Sequence, residues 1–408
     1  MIFAQENNRQ MPKEDKIFAI SGKAKTMIAE KGKDAVVNAT IGSLLDDNGD
    51  LAILSSVVES INRLKPLDYA EYAPIGGIPA FKQAVKKAAF GENFSTGRYT
   101  EVCATPGGTG AIRNTISNYS KPGDKVLTSD WFWAPYKTIS QEIGRDIDTY
   151  PLFSADGKFN IEGFSKKVSE LTRAQGELVI LLNTPAHNPT GYSLSDSDWD
   201  GVIDCINTAS SDGRITLFVD AAYIDFAGDE EKYRSFLPKL EELGDNVLPI
   251  IGYSASKTLT LYGMRCGAMI CLAKSEAVAA EFKQVTEYSS RGSWSNCVRA
   301  GQTVLADIYN SPELMAKVGT ERAKYRDMLI TRGKTFEKVL REEGLENVPF
   351  DAGFFTCIAC DDPDAVSTEL MKDGIFTVPL AKGIRISVAS ISEEKCIRAA
   401  KGIAKVMK

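Results

Sequence analysis

Ser254-Ala-Ser-Lys257-Thr-Leu-Thr-Leu-Tyr-Gly263-Met-Arg265-Cys-Gly267 sets one lysine among small hydroxyl residues, after the apolar run Val247 to Gly252 and eight positions before an arginine. A lysine leaving the end of a buried strand loses hydration, which lowers its pKa and makes the neutral, nucleophilic amine accessible. Schiff-base chemistry with an aldehyde cofactor requires such an amine. Ser254 and Arg265 read as anchors for an anionic group such as a phosphate.

Two upstream motifs repeat the arrangement. Asn183-Thr-Pro-Ala-His187-Asn188-Pro189-Thr190-Gly191 follows the apolar stretch Leu178 to Leu182, and Asp220-Ala-Ala-Tyr223 follows Ile215 to Val219. All three motifs therefore sit just past a strand, at the edge where open α/β sheets bind their ligands. Between residues 100 and 275 apolar strands alternate with helix-like stretches, the pattern of a mostly parallel sheet flanked by helices. Pro79 opens a helix to Phe90, Ser195-Asp-Ser-Asp198 reads as a capping box, and a helical pattern runs from Pro312 to Arg341.

The chain is 408 residues long, too long for one compact core. The expected division is an N-terminal segment (1–50) joined to a small α+β domain (311–408), with a large domain over 51–310. A charge of −6 without a basic block argues against nucleic acid. Neither a signal-peptide core at Met1–Arg9 nor an apolar run of the roughly 18 residues needed to cross a membrane is seen. Eight scattered cysteines point to a reducing cytoplasm, and Cys357-Ile-Ala-Cys360, inside a strand, reads as packing thiols.

Together these motifs resemble the fold-type-I, class I aminotransferases that use pyridoxal 5′-phosphate, and among them the aspartate aminotransferases. The resemblance runs from about Asn38 to about Ala389. It includes Tyr72-Ala-Pro-Ile-Gly-Gly-Ile-Pro79, Gly107-Gly108-Thr109-Gly110, Trp133-Ala-Pro-Tyr136, Gly383-Ile-Arg385 and the short, weakly patterned Arg291-Gly-Ser-Trp-Ser-Asn296. It implies that Lys257 holds the cofactor aldehyde and then moves a proton at the substrate Cα. Asp220 would keep the pyridine nitrogen protonated, while Asn188 and Tyr223 would bond the phenolic oxygen. Gly107, Gly108 and Thr109, before a helix expected from Ala111, would cup the phosphate with Ser254 and Arg265. Tyr72 would reach the phosphate of a neighbouring subunit, so a homodimer is implied. Trp133, rather than its neighbours Trp131 and Phe132, would stack on the ring. Arg385, expected on a half-buried strand, would bind the substrate α-carboxylate, and Arg291 a distal carboxylate across the dimer. His187, the only histidine, would lie near the Asp220 carboxylate.

Two departures bear on the substrate. Ala39 and Thr40 stand near a glycine that touches substrate in the aspartate enzymes, and Tyr136 replaces their histidine. The expected activity is transfer of an amino group from an L-amino acid, aspartate first or an aromatic one, to a 2-oxo acid such as 2-oxoglutarate. A β-lyase or decarboxylase on the same fold, and a non-catalytic cofactor-binding sensor, are the rivals. No metal site is expected.

Overall fold

The computed structural model describes Phe3 and residues 16–91 and 94–408, so most of the Met1–Arg9 stretch lies outside the described residues. A short strand β1 (Val37–Asn38) precedes seven strands of one large sheet: β2 (Tyr99–Pro106), β3 (Lys125–Ser129), β4 (Asp146–Tyr150), β5 (Glu177–Asn183), β6 (Arg214–Asp220), β7 (Val247–Ser254) and β8 (Cys266–Ala273). Their order is β2-β8-β7-β6-β5-β3-β4. All neighbours pair in parallel except β8, which runs antiparallel to both β2 and β7. The fold is thus a mostly parallel sheet flanked by helices, as the alternating pattern implies.

β5 and β6 carry nearly unbroken apolar runs because both faces of the sheet are covered. Leu178, Ile180 and Leu182 enter one core, while Val179 and Leu181 enter the core on the opposite face. Helices Pro79–Phe90, Asp196–Ala209 and Arg299–Asn310 pack on the first side, and Gly107–Tyr119 and Glu276–Ser293 on the second. The capping box at Ser195 and Asp198 forms, and Pro79 sits in the first helical turn.

Four more strands follow: β9 (Phe355–Ala359), β10 (Ile375–Phe376), β11 (Val378–Leu380) and β12 (Gly383–Ser387). β11, β12 and β9 make an antiparallel sheet, and β10 pairs in parallel with β1. Val37 and Ala39 share a separate core with Ile384, Ile386 and the C-terminal helix Glu393–Met407. The helix Pro312–Glu342 serves both parts: Leu314 and Val318 pack in the main core, Phe336 and Leu340 in the smaller one. Ser311, where the sequence suggests a boundary, caps this helix. Among the described residues no helix is long and apolar enough to cross a membrane. The Cys357 thiol is buried on β9 and donates to the Pro189 carbonyl, 3.2 Å away.

Arg332 is fully buried on that shared helix and ties distant segments together. Its Nη1 donates to the carbonyls of Leu45 (3.0 Å), Ala389 (3.3 Å) and Val388 (3.4 Å), and its Nη2 meets Asp47 Oδ1 at 2.7 Å. Arg332→Met keeps the bulk but leaves those acceptors without a donor, so urea unfolding should show a loss of about 3 kcal/mol.

Candidate active site

The strand ends converge on one edge of the large sheet. Asn183 pairs with Asp220, and Asp220 with Gly252. Ser254 pairs with Gly267, and Gly267 with Thr105, which brings Gly107 to the same edge. Lys257 follows in the single turn Ala255–Thr258. Crowding here is severe. A Cβ on Gly267 would stand 2.5 Å from the Gly107 carbonyl carbon, and one on Gly107 (φ +67°) would stand 2.5 Å from Arg265 Nη2. Only glycines allow this approach of backbone and guanidinium. The helix expected from Ala111 begins at Gly107 instead, because packing against β8 overrides the low helix propensity of glycine. The glycine N–H groups therefore form its first turn.

A cavity of about 280 Å³ opens at this edge. Its polar wall includes Lys257, Asp220, Tyr223, Asn188 and Arg385. At one end lie Gly108, Thr109, Ser254 and Arg265, and Trp133 and Thr40 also line it. Trp133 is the aromatic of its cluster that reaches the cavity, edge-on to Tyr136 at 5.6 Å, whereas Trp131 is buried in the core on the other face.

Lys257 Nζ donates to the Gly42 carbonyl at 2.6 Å and lies 4.7 Å from the Tyr262 ring centre. Burial, with the positive charges of Arg385 and Arg265, lowers its pKa to about 7. Asp220 is buried, accepts a 2.6 Å hydrogen bond from the Tyr136 hydroxyl and a longer one from the Ala222 N–H. Burial raises its pKa, and Tyr136 only partly opposes this. Among the described residues no lysine or arginine forms an ion pair with it. A buried carboxylate left so is a receptor for a cation. Asn188 Nδ2 lies 3.3 Å from the Tyr223 hydroxyl, and the Asn188 N–H donates to Asn183 Oδ1 at 2.6 Å.

Arg385 lies on β12, a strand buried along its whole length rather than half-buried. Its Nη2 donates to the Thr40 carbonyl (3.0 Å) and its Nη1 approaches Asn188 Oδ1 (3.4 Å). Nε has no hydrogen-bond partner, and the guanidinium lies over the Phe355 ring at 4.4 Å. It thus keeps donor capacity for a carboxylate.

Three residues stand elsewhere. His187 does not join Asp220: its Nδ1 pairs with Thr190 Oγ1 at 2.8 Å and the ring bonds the Trp131 carbonyl, with burial lowering its pKa to about 3. The Tyr136 hydroxyl takes the place beside Asp220. Tyr72, 84% exposed, and Arg291, exposed in the last turn of a helix, lie outside this chain's cavity. Conversely, Ser256, Tyr262, Ile17 and Phe355 line the cavity without having been singled out. Ser256 and Tyr262 fall inside the lysine motif, a signal that could have found them. Ile17 and Phe355 come from segments remote in sequence and carry none.

The family model for aminotransferases of class I and II matches residues 34–403. The mitochondrial aspartate aminotransferase of Gallus gallus is 27% identical over 369 residues, 87% of this chain and 84% of that one. A crystal structure of an aminotransferase from Anaerococcus prevotii superposes with a TM-score of 0.96, at 36% identity and 99% coverage of both chains. The aromatic-amino-acid aminotransferase of Burkholderia pseudomallei, solved covalently bound to pyridoxal phosphate, superposes with a TM-score of 0.82 at 24% identity and 98% coverage of both chains. The chain belongs to the class I and II aminotransferases, and it is an enzyme of that transferase type.

Pyridoxal 5′-phosphate is the cofactor, and the residues present fit it. The unpaired Asp220 carboxylate suits a protonated pyridine nitrogen, the Gly107–Thr109 turn with Ser254 and Arg265 suits a phosphate, and Lys257 suits an aldehyde.

The Lys257 amine in the cofactor-free chain should react with small aldehydes along a pH curve centred near 7. Arg385→Leu removes a nearby positive charge, so the ammonium form becomes easier to keep and the midpoint should move upward. Borohydride trapping at Lys257, read by mass spectrometry across pH, checks both.

Proposed function

We propose that this chain transfers the amino group of an L-amino acid, aspartate in the favoured reading, to a 2-oxo acid such as 2-oxoglutarate. The observation that carries this reading is the convergence of Lys257, Asp220 and Arg385 on one cavity, with the lysine pKa brought to about 7. The chemistry that pyridoxal 5′-phosphate supplies when bound is an aldehyde to take the amino group and a ring to accept the electron pair left at Cα.

Arg385 binds the substrate α-carboxylate through the guanidinium it presents to the cavity, held in place by its bond to the Thr40 carbonyl. That contact orients the Cα–H bond toward Lys257. The neutral Lys257 Nζ would take the Cα proton and return it to the cofactor's former aldehyde carbon, across the transferred nitrogen, a role suited to an amine with a pKa near the working pH. Asp220 holds a proton on the ring nitrogen, and Tyr136 holds Asp220. Asn188 and Tyr223 donate to the phenolic oxygen. Gly107, Gly108, Thr109, Ser254 and Arg265 would hold the phosphate, and Trp133, which lines the same cavity, would pack on the ring and exclude water.

Tyr72 and Arg291 fit a homodimer in which each serves the neighbouring copy's cavity. Their segments share one face: Asn296 Nδ2 donates to the Ala73 carbonyl (2.7 Å), and Arg299 Nη1 to the Tyr72 carbonyl (3.3 Å). Leu67, Tyr69 and Tyr288 are exposed in the same segments, and an exposed apolar face of this kind supports an interface. Eight free thiols support a reducing compartment such as the cytoplasm.

An aromatic amino donor is the second reading, favoured by Ile17, Ile112 and Phe355 in the cavity wall. A donor panel with 2-oxoglutarate, assayed for glutamate against pyruvate or carbon dioxide, separates transamination from β-elimination and decarboxylation. Lys257→Ala should bind the cofactor without a borohydride-reducible link and lose nearly all turnover.

Arg291→Asp should lower kcat/KM for aspartate by about 100-fold or more, because a carboxylate then faces a carboxylate. The phenylalanine half-reaction should fall far less. Equal losses for both donors would remove the dicarboxylate reading and leave the transaminase chemistry in place.

A further inference from the structure

Outside the lining of the cavity, a buried ion cluster joins three segments. Asp225 lies two residues past Tyr223, in the short turn Ile224–Phe226. Its Oδ1 accepts from Arg234 Nη2 at 2.6 Å, and Arg322 Nη1 stands 3.3 Å from its Oδ2. The same Oδ2 accepts from the Thr258 hydroxyl at 2.6 Å. Side-chain exposure is 6% for Asp225 and Arg234 and 11% for Arg322, so water competes little with these bonds. Burial pushes the Asp225 carboxyl up, but Arg322 and Arg234 together hold it below the usual carboxylate range.

Thr258 is the residue after Lys257 and ends the single helical turn that presents the amine. A one-turn helix has almost no stability of its own, so its orientation must come from tertiary contacts. Arg322, in turn, sits on the helix Pro312–Glu342 that both cores share. None of these groups lies in the set that touches substrate or cofactor.

We propose that Asp225 is a positioning residue: through the Thr258 hydroxyl it fixes the turn carrying Lys257 against the turn that begins at Tyr223. Lys257 and Tyr223, whose Nζ and ring centre lie 5.4 Å apart, are thereby referenced to one carboxylate. The inference rests on the proposed role of Lys257 and adds a residue to it.

The test uses the full chain with two readouts. One is kcat and KM for the aspartate and 2-oxoglutarate pair. The other is the rate at which the cofactor-free chain forms a borohydride-trappable link to pyridoxal phosphate at Lys257. Thr258→Val keeps the side-chain shape and removes the donor. It should slow both kcat and attachment about tenfold, the loss expected for one hydrogen bond to a charged group, with KM within about threefold of wild type. Thr258→Ser restores the hydroxyl and should recover both rates to within about twofold. Asp225→Glu keeps a charge for the two arginines but displaces the oxygen, and should reproduce the Thr258→Val loss by an independent route.

Unchanged attachment in both Thr258→Val and Asp225→Glu would overturn the proposal, as would a Thr258→Ser variant as slow as Thr258→Val. Loss of attachment rate in an otherwise folded chain that never transaminates would uphold the positioning role and remove the proposed function instead.

Discussion

The Lys257 ammonium, taken out of water and set near Arg385 and Arg265, gives up its proton near pH 7. An exposed lysine holds that proton some three units higher, at roughly 10.4. The difference comes from dry surroundings and from like charge nearby, and both depend on how tightly the strand ends close around the site. The glycines at 107 and 267 permit that closure, because a Cβ at either would force the segments apart. The price is a set of polar groups that the cofactor-free chain leaves half-satisfied: Asp220 without a counter-charge and Arg385 with a donor unspent.

Those groups come from both cores. Asn188, Asp220, Tyr223 and Lys257 hang from the large sheet, whereas Arg385 and Thr40 belong to segments anchored in the smaller core. The cavity therefore draws on segments of both cores, which share the helix Pro312–Glu342. Buried arginines do the joining: Arg332 gathers the carbonyls of Leu45, Val388 and Ala389, and Arg322 meets Asp225, which also bonds Thr258 next to Lys257. A planar cation with five donors can bond more acceptors at once than the three donors of a lysine ammonium.

Tyr136 shows how a residue far away in sequence can serve a buried carboxylate. What Asp220 needs from that position is a donor at hydrogen-bond distance, and a phenol on the following helix provides it at 2.6 Å. His187, in the loop after β5, bonds Thr190 and the Trp131 carbonyl instead.

Strand, turn and chemistry were legible together in the three motifs ending at Asn188, Tyr223 and Lys257. Apolar runs of five to eight residues closed by polar signatures encode both a buried parallel strand and the groups at its end. From these the mostly parallel sheet could be read from residue order, and the cofactor from the family resemblance that the motifs carry. Only the folded chain decided which remote residues complete the site. Ile17, Gly42 and Phe355 arrive from the two ends of the sequence, Tyr136 bonds Asp220 across 84 positions, and Asp225 takes up Thr258 across 33. The start of the Gly107 helix and the burial of β12 were likewise settled by packing. Local pattern records what a segment prefers by itself; contacts between segments far apart in sequence are set by how the cores close, and no short window of residues contains them.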